Sequence, residues 1–358
     1  MTDIGTAKQR SLRLGDLDIG FPVVQAALSG YSDRPMRIMA RRFGAPYALA
    51  EVMLDRFVME SKDRSRSLSI GEDDHPIGGQ LMGAEPAQFA PAAVRLAAAG
   101  YDVIDINFGC PVKKVLGRCR GGYHLGQPET ALEIVARVRD AVPDHVPVTV
   151  KMRRSLDDTA ASADDFERIF EGAFLRGVTA ITVHGRTVQQ RYDGPSNWDV
   201  LRQIKVKAGK RTVLGSGDLF TAESCREMIG YTGVDGVTVA RGAIGNPWIF
   251  RETRALLDGK PLPPPPSVFE QRDVLAEHFR LAEQLYGAER CCRVMRKTAI
   301  RYAERHPSCE DVRAAFLKIR RTGDWQQILD RWYTVERPGR RPKVEQPIPL
   351  ATDRTVPV

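Results

Sequence analysis

Short apolar runs alternate with longer amphipathic segments along the first 250 or so residues of the chain. One such segment is "EPAQFAPAAVRLAAAG", where apolar positions recur at helical spacing, Pro86 marks the start of the predicted helix and Gly100 marks its end. This alternation is typical of repeated βα units around a parallel sheet. Eight runs are present, at 21–28, 47–52, 76–81, 102–107, 147–151, 180–184, 211–217 and 236–241.

Eight βα units within about 250 residues match the size and strand number of a TIM barrel. An open doubly wound sheet is the alternative, but it normally has fewer strands and a GxGxxG turn after the first, and that turn is absent here. We therefore predict an α/β fold, a TIM (β/α)8 barrel over residues 1–258.

The segment "GKPLPPPPS" at 259–267 interrupts the pattern with five prolines and predicts a semi-rigid linker. Residues 268–336 have helical periodicity throughout, which predicts a small all-helical C-terminal domain. Residues 337–358 are rich in proline and basic residues and are predicted to be disordered.

The composition is that of a soluble globular protein, with 42% hydrophobic and 27% charged residues among 358. No apolar run approaches the length of about 20 residues that a membrane span requires, and the N-terminal residues lack a signal-peptide core. We therefore expect a cytoplasmic protein without membrane association, and a monomer. Six scattered cysteines without CxxC spacing predict neither disulfides nor a structural metal.

The chain is basic, with a formal charge of +8 and a pI near 9.2. This charge permits binding to nucleic acid, but a solvated positive face gives the same value. A nucleic-acid partner therefore needs support from particular residues.

Polar and reactive residues stand where the predicted strands end. In a TIM barrel the functional groups gather at the carboxyl ends of the strands, so these residues should surround one site. They are Gln80, Asn107, Cys110, Lys151, Arg153, His184 and Arg186.

Glycine-rich turns follow the last two strands, in "GSGD" (215–218) and "ARGAIGNPW" (240–248). Such turns allow backbone N–H groups to approach a phosphate, and this placement is where TIM barrels commonly bind one. The alternative is that Gly215, Gly217 and Gly242 serve only tight turns.

Lys151 ends the apolar run "PVTVK", where burial of an ammonium is costly without an anionic or polar partner. It could form a Schiff base or donate to an electron-rich ring such as a flavin, and the residues alone leave both open. His184 taken alone is more often a structural histidine than a ligand contact.

Taken together, the motifs resemble those of the dihydrouridine synthases, flavin enzymes that reduce uridine in transfer RNA. The resemblance covers the whole predicted barrel and the helical domain. The motifs occur in the order "AALSGYSDRPMR" (26–37), "AEVM" (50–53), "QLMG" (80–83), "DINFGCPVKKV" (105–115), "VTVKMR" (148–153), "VHGRTVQQRYDGPSNW" (183–198), "GSGD" and "ARGAIGNPW".

The resemblance implies an oxidoreductase with FMN as cofactor and NADPH as reductant, NADH being the alternative. Its RNA substrate would be tRNA, with rRNA as the alternative. Cys110 corresponds to the proton donor. The implied FMN contacts are Ala27, Leu28, Ser29, Gln80, Asn107, Lys151 and His184 around the ring and Ser216, Gly217, Asp218, Ala240 and Arg241 at the phosphate end.

The sequence departs from the usual family pattern at three places. Ala27 and Leu28 replace a proline and a methionine, and Ser216 replaces an asparagine. The loop after the cysteine reads "LGRCRGGYHL" (116–125) instead of a Gly- and Ala-rich turn that ends in two leucines. Its Arg118, Cys119, Arg120 and His124 are either exposed loop residues or determinants of an altered substrate choice.

The implied reaction transfers hydride from reduced FMN to C6 of a uracil and a proton from Cys110 to C5. A thiol with a pKa of about 8.5 is protonated at neutral pH and can serve as that acid. A uracil in folded RNA must leave its stack to reach the base of a barrel.

The predicted helix "ERCCRVMRKTAIRYAER" carries a basic stripe at spacings of three or four residues, opposite an apolar face that includes Met295 and Tyr302. The stripe is either a solvated face or a phosphate contact, and we predict the latter. The predicted RNA-binding residues are Arg290, Arg293, Arg296, Lys297 and Arg301, with Arg305 on the same face, together with Lys113, Lys114 and Arg186 near the site.

Two other functions remain open from the sequence. One is an FMN-dependent small-molecule pyrimidine oxidoreductase of the dihydroorotate or dihydropyrimidine dehydrogenase type, which would not need the basic helical domain. The other is a non-catalytic RNA-binding paralogue, which would not need Cys110 or the phosphate turns.

Overall fold

A computed structural model describes residues 11–60 and 70–342, and its central element is a closed parallel barrel. The strands in these residues are β1 (Leu12–Leu14), β2 (Leu17–Gly20), β3 (Val23–Gln25), β4 (Ala48–Leu49), β5 (Met53–Leu54), β6 (Ile77–Met82), β7 (Val103–Phe108), β8 (Val148–Arg153), β9 (Ala180–His184), β10 (Thr212–Ser216) and β11 (Gly236–Val239). Parallel pairing runs from β3 through β4 and then β6 to β11, and β11 pairs with β3. The predicted TIM barrel is confirmed, and each of its eight strands overlaps one predicted run.

Helices follow the strands and cover the barrel. They are α1 (Arg34–Arg42), α2 (Asp55–Glu60), α3 (Pro86–Ala98), α4 (Lys113–Leu116), α5 (Pro128–Ala141), α6 (Ala160–Leu175), α7 (Trp198–Ala208), α8 (Ala222–Thr232) and α9 (Trp248–Leu257). Local sequence sets their starts: Asp33 and Thr159 cap α1 and α6 with their side chains, and α3 and α5 begin at a proline.

A hairpin of β1 and β2 precedes the barrel and was not predicted. Its Leu12, Leu14 and Ile19 cluster with Val103 and Leu214 of the barrel strands. The alternation on either side of Gly15, whose φ is +60°, is a short hairpin pattern that a search for longer runs misses.

The C-terminal helices are α10 (Val268–Tyr286), α11 (Ala288–Tyr302), α12 (Cys309–Leu317) and α13 (Thr322–Trp332), and the proline-rich segment before them has neither helix nor strand. This domain shares a hydrophobic core with the barrel through Trp248, whose indole makes edge contacts with Phe43 and Tyr302. Polar contacts join α1 to α10: Arg42 pairs with Glu277 at 2.7 Å.

Residues 337–342 belong to the segment predicted to be disordered, but they run along the linker with specific contacts. The Arg337 carbonyl accepts from Val268 N at 2.9 Å, and the Arg340 N–H donates to the Arg305 carbonyl at 2.8 Å. Arg341 pairs with Glu252 at 3.0 Å. The disorder predicted for 337–358 stays a prediction, and 343–358 lie outside the described residues.

Candidate active site

One cavity opens at the carboxyl ends of the barrel strands. The strand register brings its residues together, because Asn107 is paired with Lys151, Arg153 with His184, and His184 with Ser216. Cys110 and all twelve predicted FMN contacts lie in its wall. The lining consists of Ala27, Leu28, Ser29, Val52, Gln80, Asn107, Gly109, Cys110, Pro111, Val112, Lys151, Arg153, His184, Tyr192, Ser216, Gly217, Asp218, Leu219, Phe220, Thr238, Ala240, Arg241 and Gly242.

Cys110 lies on the loop after β7 and is partly buried. Burial raises the pKa of its thiol, while the Val112 N–H and the charges of Arg153 and Lys151 act in the opposite direction. The net effect is a pKa above the ordinary value, so the group is a thiol and not a thiolate at neutral pH. It is therefore suited to donate a proton.

The segment after Cys110 packs closely against it. Gly122 N donates to the Cys110 carbonyl at 3.0 Å. Gly121 has a φ of +59°, and a Cβ there would lie 2.8 Å from the Cys110 Cβ. Both the turn and the close approach require glycine at 121.

His124 in the same loop is not an exposed or substrate-facing residue. Its side chain is buried, and Nε2 lies 3.0 Å from the Gly83 carbonyl. Cys119, by contrast, is exposed. The loop therefore contains both a buried structural residue, His124, and an exposed residue, Cys119.

Lys151 and His184 present hydrogen-bond donors to the cavity. Burial and the charge of Arg153 lower the pKa of Lys151 to about 8, against the opposing effects of Asp105 and Cys110. Burial and nearby cations hold the pKa of His184 well below its ordinary value. Because His184 Nδ1 accepts from Arg186 N at 3.1 Å, the proton of the neutral ring is on Nε2.

The turns after β10 and β11 require glycine at two positions. Gly217 has a φ of +118°, and a Cβ there would lie 2.3 Å from Ser196 Oγ. A Cβ at Gly242 would lie 2.0 Å from the Leu219 carbonyl. Without a Cβ at these two positions, the backbone of both turns can approach a phosphate group closely.

The Arg241 guanidinium borders this end of the cavity, and the fully buried Arg186 shares Asp218 with it. Arg186 Nη2 donates to Asp218 Oδ2 at 2.8 Å, and Arg241 Nη2 lies 3.7 Å from Asp218 Oδ1. Nη1 of each arginine is buried without a hydrogen-bond partner. A buried donor of this kind needs an acceptor, so Arg241, which lines the cavity, is suited to an anion.

Arg186 was predicted to contact RNA, but its side chain is fully buried between Asp218 and the Gly194 carbonyl. It therefore cannot form part of an exposed RNA surface. The turn before it requires glycine, since a Cβ at 185 would lie 2.5 Å from Ser196 Oγ.

Sequence reasoning missed Tyr192, Phe220 and Thr238 as cavity residues. The Arg241 guanidinium lies over the rings of Tyr192 and Phe220, 4.6 and 5.1 Å from their centroids. Tyr192 stands within the quoted motif "VHGRTVQQRYDGPSNW", so a signal was present. Phe220 and Thr238 follow no pattern that would single them out.

The predicted basic stripe on α11 does not form one surface. Arg290, Arg293 and Arg296 are exposed, as are Lys113 and Lys114 on α4. Lys297 donates to the Gly30 carbonyl and lies 4.3 Å from the centroid of the Tyr31 ring.

The remaining basic residues of the stripe have partners within the protein. Arg301 pairs with Glu304 at 2.9 Å. Arg305 is buried, and its guanidinium lies 5.8 Å from the Trp248 ring centroid. The residues of the stripe that remain available to a ligand are therefore Arg290, Arg293 and Arg296.

Neither a membrane helix nor a metal centre is seen in the part of the chain that the structure describes. Within residues 11–60 and 70–342, no helix is both long and apolar enough to cross a membrane. The same residues contain no group of three or more His, Cys, Asp or Glu side chains arranged to hold a metal ion.

Comparison with known proteins gives consistent matches over most of the chain. The family model described as "Dihydrouridine synthase (Dus)" matches residues 24–335. "tRNA-dihydrouridine synthase B" of Xanthomonas axonopodis pv. citri is 35% identical over 324 residues, which cover 90% of this chain and 95% of the relative. The Escherichia coli K12 protein of the same name is 30% identical over 323 residues, 90% and 99% of the two chains. "Probable tRNA-dihydrouridine synthase" of Rickettsia conorii is 33% identical over 306 residues, 85% and 91%.

Solved structures of low sequence identity share the fold alone. Histamine dehydrogenase from Rhizobium sp. 4-9 aligns with a TM-score of 0.54 at 14% identity, over 75% of this chain and 50% of that one. A 2-naphthoyl-CoA reductase complex aligns with a TM-score of 0.55 at 11% identity, over 71% and 52% of the two chains.

Proposed function

Because the chain belongs to the dihydrouridine synthase family, we propose that it reduces uridines in tRNA to 5,6-dihydrouridine, with FMN as cofactor and NADPH as reductant. The names of its relatives support tRNA as the substrate. The observation that carries the proposal is that one cavity contains the protonated thiol of Cys110, the ammonium of Lys151 and glycine turns suited to bind an anion.

The residues of the cavity fit FMN. The unpartnered Nη1 of Arg241 and the close backbone turns at Gly217 and Gly242 suit its phosphate. Lys151 and the Nε2–H of His184 supply donors for the pyrimidine edge of its ring. Ala27, Leu28 and Ser29 add a wall from the loop after β3.

When bound, FMN supplies the hydride that reduces a C=C bond. Cys110 supplies the proton, because its raised pKa keeps it a thiol and its loop places it at the cavity wall. We assign C6 of uracil to the hydride and C5 to the proton. Lys151 stabilises negative charge near the ring.

The substrate uracil leaves its stack and enters the open end of the barrel. The exposed residues Lys113 and Lys114 stand three and four positions after Cys110, and α11 presents Arg290, Arg293 and Arg296. We assign phosphate contacts to these five residues.

The proposal is tested with purified protein, FMN, NADPH and unmodified tRNA transcripts, with dihydrouridine measured by mass spectrometry. We expect product in tRNA and none with free uridine or with a ribosomal RNA fragment. Product only from free uridine would favour the small-molecule alternative, and absence of product from every substrate would reject the activity. Replacement of NADPH by NADH in the same assay determines the reductant.

The site of modification is found in cells. RNA from cells with and without the gene is compared by the same mass measurement after nuclease digestion. A uridine position that loses its dihydrouridine identifies the target, and an unchanged RNA pool contradicts the assignment.

A further inference from the structure

A chain of hydrogen bonds links a buried carboxylate to the backbone at Cys110. The oxygens of Asp105 on β7 accept from Thr149 Oγ1 at 2.6 Å and from Gln80 Nε2 at 2.7 Å. Gln80 Oε1 accepts from Asn107 Nδ2 at 2.7 Å. Asn107 Oδ1 then accepts from the N–H groups of residues 109 and 110 at 2.9 and 3.1 Å.

The two ends of this chain determine its direction. Backbone N–H groups can only donate, and an ionised carboxylate can only accept. Asn107 must therefore turn its oxygen towards Cys110 N, and Gln80 must turn its nitrogen towards Asp105. Reversal of either amide would place donor against donor or acceptor against acceptor.

Asp105 is 2% exposed, so bulk water could not relieve two acceptors or two donors facing each other at this carboxylate. Burial raises the pKa of its carboxyl, whereas the donors Thr149 and Gln80 and the charge of Lys151 favour the ionised form. Both of its hydrogen bonds are received, as the carboxylate requires.

We propose that Asp105 is a positioning residue, whose oxygen accepts from Gln80, fixes the direction of the chain and thereby holds Cys110 in place. The group acts through Gln80 and Asn107 and does not line the cavity itself. The inference deepens the proposed function, but only its activity measurement depends on that function.

Three isosteric variants separate hydrogen-bond direction from packing. Gln80→Glu places an acceptor against Asp105 Oδ2, so that one carboxyl must bind a proton at increasing cost as the pH rises. Asp105→Asn keeps an oxygen towards Gln80 Nε2 and can donate its NH2 to Thr149 Oγ1. The double variant Gln80→Glu/Asp105→Asn restores donors and acceptors throughout the chain and has the net charge of the wild type.

The measurement is the alkylation rate of Cys110 by iodoacetamide in the full-length protein at about pH 8.5, read by peptide mass spectrometry. The exposed Cys119 in the following loop is the internal reference. We expect Gln80→Glu to raise the rate at Cys110 by about fivefold, as loss of one hydrogen bond predicts. Asp105→Asn and the double variant should remain within about twofold of the wild type.

The ranking should be the same with and without added FMN, because altered shielding by the cofactor would disappear without it. A double variant no better than Gln80→Glu would overturn the inference, as would a Gln80→Glu protein identical to the wild type. If Gln80→Glu does not fold, a folded double variant with normal alkylation supports the inference, and an unfolded one rejects it.

Uridine reduction is measured in parallel on the same variants. The rate should fall in Gln80→Glu and recover in part in the double variant. A wild-type protein without any reductase activity would refute the proposed function and leave the alkylation result to decide on Asp105.

Discussion

The cavity and helix α11 both contain residues predicted from the sequence to be functional, but only the residues of the cavity lie together in the structure. The predicted FMN contacts come from strand ends far apart in sequence and converge on one wall. The basic residues of the predicted stripe are neighbours in sequence but diverge into exposed and interdomain positions on α11 and a buried position at Arg305 just after it. Barrel closure fixes where a strand end points, whereas helical spacing alone does not show which part of a face a neighbouring element covers.

The largest effect should come from the cavity. Cys110→Ala should lower dihydrouridine formation by about 10³-fold, because it removes a general acid, and should leave FMN bound. Product is measured by mass spectrometry and FMN by its absorbance. Cys119→Ala, in the following loop and exposed, is the matched control and should keep full activity. Equal activity of the two variants would contradict the role of Cys110.

Lys151→Met should weaken FMN binding by about tenfold to a hundredfold, measured by quenching of flavin fluorescence. The pKa of Lys151 is lowered to about 8, so the ammonium is present below this pH and is lost above it. Affinity of the wild type for FMN should therefore fall as the pH rises through about 8, and the variant should lack this step. Lys113→Met is the control, since Lys113 is exposed on α4. A pH step that persists in Lys151→Met would assign it to another group.

The exposed part of α11 is tested by Arg293→Glu/Arg296→Glu. Loss of two phosphate contacts should weaken tRNA binding by about tenfold and reduce the slope of log K against log salt by about 2, with FMN binding unchanged. Arg202→Glu/Lys207→Glu changes the charge equally on the exposed side of α7 and should have little effect. If both pairs weaken binding alike, the effect reflects net charge and not a contact surface.

The smallest effect should come from Lys297, which was predicted to bind RNA but contacts Gly30 and Tyr31 of the barrel. Lys297→Met should lower the melting temperature by about 2 °C through loss of this contact and should leave the salt dependence of tRNA binding unchanged. Thermal melting and binding titrations on the same sample give both values. A reduced salt slope with an unchanged melting temperature would restore Lys297 to the RNA surface.

Most of the fold was predictable because each barrel strand carries its own apolar run, and several of these runs end in a distinctive polar residue. Lys151 and His184 could be assigned to one site because parallel strands share a carboxyl edge. The direction of Arg186 could not be predicted, because the loop from Gly185 to Ser196 determines it and not the spacing from β9.

Composition also gave no indication of the contacts that residues 337–342 make. Disorder is predicted from their proline and basic content, but proline residues of the linker have backbone carbonyl groups that can accept hydrogen bonds. Arg341 donates to the Pro263 carbonyl, and Gln271 Nε2 donates to that of Pro266 at 2.9 Å. The linker and residues 337–342 each lack helix and strand, but they satisfy hydrogen-bonding groups of each other and of neighbouring side chains.

The contact between α1 and the helical domain limits how these modules can be exchanged between relatives. Tyr286 donates to Asp33 Oδ2 at 2.8 Å, and Asp33 is also the residue that caps α1 directly after the loop in which Ala27, Leu28 and Ser29 lie. A chimera that grafts these helices onto another barrel must also transplant Asp33, Arg42 and Phe43. Without them, the graft would lose its anchor and the recipient loop would lose its support.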